Sequence, residues 1–224
     1  MRGGTVVALS GAAFFLAGCA EPSLTRAMKQ KYEMDLLRPA SAIYIPGTLA
    51  RVRVVSRGSD RNARVVSLSR FCRPGGALPL ASITPSPTEV LNITYNVSAD
   101  SSAKAELEAI AGIELSSEVV DKVDISLKNT KIYRPDDLQL KAAVSAIRRS
   151  GCSTSGRSLV TAVLQADVDV KTTFKIGGKV SASQKQAIGR VVSASFGANI
   201  TSESGETSTG TGLFYGIEVD EGGR

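Results

Sequence analysis

The chain has 224 residues, with 27 lysines and arginines against 21 acids, a formal net charge of +6. It contains no histidine and no tryptophan. Without imidazole there is no Ser–His or Cys–His nucleophilic dyad and no zinc site built on histidine.

The first residues, Met1-Arg2, give a short basic start, and Thr5 to Leu16 is apolar or small and uncharged. About a dozen residues are too few to span a bilayer as a helix, which takes roughly 20, but they suit the apolar region of a secretory signal. Leu16-Ala17-Gly18-Cys19 follows. On these four positions the chain resembles the bacterial lipoprotein signal family, whose motif is Leu, a small residue, Gly or Ala, then Cys. The resemblance implies cleavage after Gly18, diacylglycerol on the Cys19 thiol and an acyl chain such as palmitate on the new N-terminus. Several chains together give stable anchoring where one does not. Ala20, rather than Asp, follows the cysteine, which resembles the pattern sent on to the outer membrane. The resemblance covers residues 1–19 and no more.

Residues 1–18 are therefore expected to be a signal peptide, 19–40 a lipid-anchored tether with one or two helical turns, and 41–221 a single domain. Val52 and Val54, then Val65, Val66 and Leu68, flank the turn-rich SRGSDRNA and predict a hairpin. Seven arginines crowd this region: Arg51, Arg53, Arg57, Arg61, Arg64, Arg70 and Arg73, opposed only by Asp60. They form either a solvated hairpin or a patch for anionic lipid, lipopolysaccharide or an acidic partner. Nucleic acid is not expected, because an exported protein does not meet it and aromatics for base stacking are missing. With Cys19 lipidated, Cys72 and Cys152 remain, and in an oxidising compartment such a pair is expected to form a disulfide. Residues 72–88 hold Pro74, Pro79, Pro85 and Pro87 and read as a surface loop pinned at Cys72.

Further on, Leu91, Ile93, Tyr95 and Val97 alternate with polar residues and predict a half-buried strand. A helix is expected from Ala103, capped by Ser101 or Ser102. Ser101-x-x-Lys104 matches one element of penicillin-recognising enzymes, but their Ser-Asp-Asn and Lys-Thr-Gly elements are absent,. Val123, Ile125 and Leu127 predict another strand. Asp136 and Asp137 open a second helix whose last turn holds Arg148 and Arg149, an order that suits the helix dipole. From Leu164 to Ile176 the alternation is cleanest, with Asp167, Asp169, Lys171 and Lys175 on the polar face; two carboxylates on one face can hold a cation, but with two lysines beside them they read as a solvated charged face. Ser181 and Gln184 match a capping box before a third helix. Residues 197–216 read as a mobile hairpin loop, and Leu213 to Val219 as a closing strand.

The expected fold is α+β, a mixed or antiparallel sheet with about three helices. Residues 90–133 and 160–219 share a strand–helix–strand plan that suggests internal duplication. No complete catalytic motif, cofactor loop or metal set occurs, so an enzyme is disfavoured and no cofactor is expected. The leading functional expectation is an outer-membrane lipoprotein facing the periplasm, acting as a non-enzymatic accessory or assembly factor through contacts with envelope proteins. The alternative is a membrane-active or pore-forming protein, since some pore formers convert strand–helix–strand units into membrane hairpins.

Overall fold

The computed structural model describes residues 23–57, 62–73, 78–177, 180–202 and 206–220. Among these residues four helices, α1 (Leu24–Tyr32), α2 (Ser101–Ala111), α3 (Asp137–Arg149) and α4 (Ala182–Ser195), accompany nine strands. These are β1 (Asp35–Ser41), β2 (Leu49–Arg57), β3 (Arg64–Cys72), β4 (Ser86–Pro87), β5 (Leu91–Tyr95), β6 (Val120–Tyr133), β7 (Ser158–Phe174), β8 (Asn199–Ile200) and β9 (Thr207–Asp220). The fold is α+β with one mixed sheet, in which β1 and β3 are the parallel pair and the other pairings are antiparallel.

The sheet has two parts. Strands β7, β2, β3, β1 and β9 pair in sequence, and β9 pairs back onto β7, so the five close into a small barrel. All five contribute to one buried cluster, among them Leu37, Ala50, Val66, Leu68, Val160, Val163, Phe214 and Ile217. Beyond the barrel, β9 and β7 run on and are joined by β6 and β5, giving a four-stranded antiparallel sheet. A larger cluster fills the space between one face of the sheet and α1, α2 and α4.

Adjacent residues in the barrel strands serve different cores. Leu36, Val65, Leu164 and Tyr215 belong to the larger cluster, and their neighbours Leu37, Val66, Val163 and Phe214 to the smaller. Successive side chains of a strand point to opposite faces, so a strand covered on both faces reads as paired apolar residues. Past Leu164 the outer face is open to water, and β7 becomes strictly alternating.

The segment expected as a tether is part of the domain from Leu24 onward: α1 buries Leu24, Ala27, Met28 and Tyr32, and β1 closes the barrel. The helix at 101 is capped by Asp100, whose carboxylate accepts from the Ser102 and Ala103 amides, and not by Ser101 or Ser102. A carboxylate is as good a cap as a hydroxyl and adds a charge at the positive end of the helix. The capping boxes Asp136/Gln139 and Ser181/Gln184 are formed. Within the expected hairpin loop 197–216, Asn199–Ile200 and Thr207–Asp220 are paired strands.

Candidate functional site

Two strand–helix–strand units, β5–α2–β6 and β7–α4–β9, lie side by side. Their hinges meet at one end of the sheet. Tyr95 pairs with Val123, Val120 with Phe174, and Lys171 with Thr207. The chain therefore leaves the sheet twice and re-enters it twice at that end, farthest from the barrel. Ile176, just past the end of β7, is fully exposed there.

The register puts one apolar face across all four strands. Ile93 opposes Ile125, Ile125 opposes Val170, and Val170 opposes Ser208. The other face is polar and uncovered, a shallow trough lined by Asn92, Thr94, Asp124, Ser126, Asp169, Lys171, Thr207 and Thr209. Its groups are paired across strands: Thr94 donates to Asp124 at 2.7 Å, Ser126 to Asn92 at 2.6 Å, and Lys128 pairs with Asp169. Asp167 accepts from the Asn129 side chain at 2.7 Å and the Gly212 amide at 2.8 Å. Among the described residues no group of three or more Cys, Asp or Glu is placed to hold a metal ion.

The two helices on the apolar face are lightly anchored. Within α2 only Leu107, Ile110 and Ala111 are buried, and within α4 only Gly189, Val192 and Ser193. Elements with little buried apolar surface open at low free energy. In α4 the intrinsic preference is also poor, since Gly189, the β-branched Ile188, Val191 and Val192, and Ser193 and Ser195 all disfavour helix relative to alanine,. Polar contacts supply much of the hold. Arg38 of β1 donates to the Ala109 carbonyl at 3.0 Å, and Ser195 of α4 donates to the Ala111 carbonyl at 2.8 Å. The Ser193 and Ser208 hydroxyl oxygens, both buried, lie 2.5 Å apart and tie α4 to β9. At the α2 hinge, burial pushes the Tyr95 phenol well above its ordinary range, and the nearby Glu106 charge adds to this. Tyr95 therefore stays neutral as a donor and acceptor.

Arg51, Arg53 and Arg57 of β2 and Arg70 and Arg73 at the end of β3 are exposed. Arg64 is instead bound to the buried carboxylate of Asp35, across the parallel pair. Arg57 borders a cleft with Thr25, Ser56 and Glu106. Arg61 and Cys19 lie outside the described residues. Cys72 and Cys152 are joined, with Cα atoms 6.2 Å apart, linking the end of β3 to the α3–β7 connection. That staple holds the barrel and leaves α2 and α4 free of covalent restraint. Closing a loop of 80 residues is worth about 3–5 kcal/mol in the chain-entropy account. Replacing both cysteines by serine is expected to lower unfolding free energy by that amount, read from denaturant unfolding with the slope fitted for each protein, since the released loop also expands the unfolded chain.

No helix among the described residues is long and apolar enough to cross a membrane. Comparisons with protein families and with curated proteins each find no match. Among solved structures the chain is similar to a bacterial gasdermin from Bradyrhizobium tropiciagri, at 15% sequence identity and a TM-score of 0.42, covering 87% of this chain and 84% of that one. At that TM-score the likeness leaves the functional reading to this chain's own residues.

Proposed function

We propose that the chain is a non-enzymatic, membrane-active lipoprotein, anchored through Cys19 on the periplasmic side of the outer membrane, whose two strand–helix–strand units extend into β-hairpins that enter a bilayer. The observation that carries this reading is a two-residue alternation that does not stop where the strands stop. It runs through most of α2 and through both ends of α4.

In the first unit the odd positions include Val97, Ala99, Ala103, Ala105, Leu107, Ala109, Ala111, Ile113, Leu115 and Val119. The even positions include Asn96, Ser98, Asp100, Ser102, Lys104, Glu106, Glu108, Glu114, Ser116 and Glu118, with Ile110 the exception inside α2. Odd residues are also the apolar face of β5 and, from Val123 to Leu127, of β6; the parity breaks once between helix and strand, at Val120-Asp121, where β6 shifts register against β7. In the second unit the even positions carry Phe174, Ile176, Val180, Ala182, Ile188, Val192, Ala194, Phe196, Ala198 and Ile200. Odd positions carry Lys175, Ser181, Ser183, Lys185, Ser193, Ser195, Asn199 and Thr201. Polar residues stand at the even positions Ser202, Ser204 and Glu206, on the approach to β9, and the remaining exceptions, Gln184, Gln186, Ala187, Arg190 and Val191, fall between 184 and 191, midway between the two hinges. There the tip of an extended hairpin would stand in water.

A helix needs apolar residues three and four apart, whereas a strict alternation serves a strand with one lipid face and one watery face. Residues 96–119 give arms of about 12 residues, and 175–183 and 192–206 flank the tip with arms of about 9 and 15, against the roughly 9–11 that a tilted strand needs to cross. In water the extended form leaves its apolar face exposed, so the folded helices win. A bilayer reverses that preference. Backbone groups in lipid must all be paired, which only a closed barrel achieves. Each chain offers four strands, so a barrel of about eight or more takes at least two chains. Arg51, Arg53, Arg57, Arg70 and Arg73 supply positive charge for an anionic surface, and Ile176 an exposed apolar contact at the hinge end.

The test is dye release. The full chain, added to vesicles of phosphatidylethanolamine and phosphatidylglycerol, is expected to release a trapped fluorophore with a steep dependence on protein concentration. Absence of release over conditions where the protein binds and oligomerises would return the domain to the accessory role, acting through protein contacts alone.

A further inference from the structure

We propose that α1 is a built-in restraint on this conversion, a strap whose first turn is bonded to α2 and whose removal lets α2 extend. The proposal rests on the membrane reading above and names how that same site is held shut.

The first turn of a helix has four amides without partners inside the helix. In α1, Ser23 accepts from Arg26 and covers one. Two others are met from outside. The Leu24 amide donates to the Tyr95 hydroxyl at 2.9 Å, and the Thr25 amide to the Glu106 carboxylate at 3.4 Å. The Thr25 hydroxyl donates to the same carboxylate oxygen at 2.5 Å, and the Tyr95 hydroxyl reaches it at 3.5 Å. Tyr95 is the hinge at the end of β5, and Glu106 is the middle of α2. Beside the Ser23 cap, two first-turn amides of α1 are thus met by the two residues whose separation defines the opening of the first unit. Extending α2 carries Glu106 off and strips the Thr25 amide of its partner. Lifting α1 leaves the Glu106 carboxylate and the buried Tyr95 phenol with only each other. Neither change is favourable alone, so the two are coupled.

The rest of α1 is fitted to this position. Leu24 and Met28 are fully buried against the sheet. Gly216 of β9 makes room for Met28, since a Cβ there would stand 2.4 Å from the methionine methyl carbon. At the far end Tyr32 donates to the Glu89 carbonyl at 3.1 Å. The strap therefore runs along β5 from its hinge end back toward Glu89. Ser23 is four positions after Cys19, so a pull on an anchored N-terminus acts on the first turn of α1, where the bonds to Tyr95 and Glu106 are made.

The test compares Thr25→Val, which keeps shape and removes the hydroxyl, with Thr25→Ser, which keeps the hydroxyl, in the full chain. Amide hydrogen exchange of residues 101–111 is expected to quicken about tenfold in T25V, the size expected for one hydrogen bond to a charged acceptor. Exchange in α3 is expected to stay as in the parent, and T25S to remain within about threefold of it. Release from the same phosphatidylethanolamine–phosphatidylglycerol vesicles is expected to speed up in T25V alone. Unchanged α2 exchange in T25V overturns the strap, whatever the vesicles do. Faster α2 exchange with no release from any variant overturns the membrane reading, and the regulatory role with it, leaving only a mechanical coupling.

Discussion

Ala99→Arg and Ala194→Arg are each expected to reduce vesicle release at least tenfold while leaving the folded protein intact. Both alanines are exposed in the folded state, one just before α2 and the other on α4. An arginine there meets water, and on a helix surface its intrinsic preference is close to that of alanine. The melting temperature is therefore expected to move by no more than about 2 °C. In the extended form both positions carry the parity of the apolar face and fall within hairpin arms. A lysine or arginine on the lipid face of a membrane barrel costs about 2–4 kcal/mol near the midplane, repeated in every chain of the assembly. Ala187→Arg is the matched control. Ala187 is also exposed and on α4, but it lies on the polar parity within the tip region. It is expected to fold and release as the parent does. Were all three variants to release alike, hairpin insertion would be wrong even if the protein permeabilises vesicles by some other route.

These substitutions separate two requirements written into the same residues. The folded domain needs Leu107, Ile110 and Ala111 on one side of α2, and it has them. The extended form needs no charge at odd positions between 97 and 119, and there is none. Only the second requirement extends to alanines that the folded state leaves exposed. Ala105, on α2, and Ala99, just before it, are both exposed small apolar residues among polar and charged neighbours. A surface under folding pressure alone tolerates charge at such sites.

The strands were legible in the sequence wherever one face meets water. Leu91 to Val97, Val123 to Leu127 and Leu164 to Phe174 alternate because their second face is solvated. The barrel was not legible, because its closure depends on β9 pairing with both β1 and β7, contacts between distant parts of the chain. Its strands also break the alternation, since Val65-Val66 and Phe214-Tyr215 feed two cores at once. Strand β1, DLLRPAS, has no period at all, and with α1 it resembled a polar tether. The extended pattern inside α2 is open to inspection, but alanine and glutamate are strong helix formers and declare a helix first. Arg64 was grouped with its neighbours because charge is visible in a sequence and a buried partner such as Asp35 is not.

The conversion also has a reversible lock. The Ser193 and Ser208 hydroxyl oxygens are 2.5 Å apart, close to the roughly 2.05 Å of a disulfide, so Ser193→Cys with Ser208→Cys is expected to oxidise with little change in backbone. The two sites are 15 positions apart in sequence. On an extended arm, at about 3.3 Å per residue, they would stand roughly 50 Å apart, and no disulfide spans that. The oxidised double variant is thus held with α4 against β9. It is also expected to be more stable, because a closed loop of about 15 residues is worth roughly 3 kcal/mol. Its release activity is expected to fall to background when oxidised and to return with a mild reductant. The parent protein, given the same reductant, controls for opening of Cys72–Cys152 in the barrel. Undiminished release by the oxidised variant would show that α4 stays folded on β9 throughout, and the second hairpin would have to be abandoned. Background release with full recovery makes the step from helix to strand the event that the membrane drives.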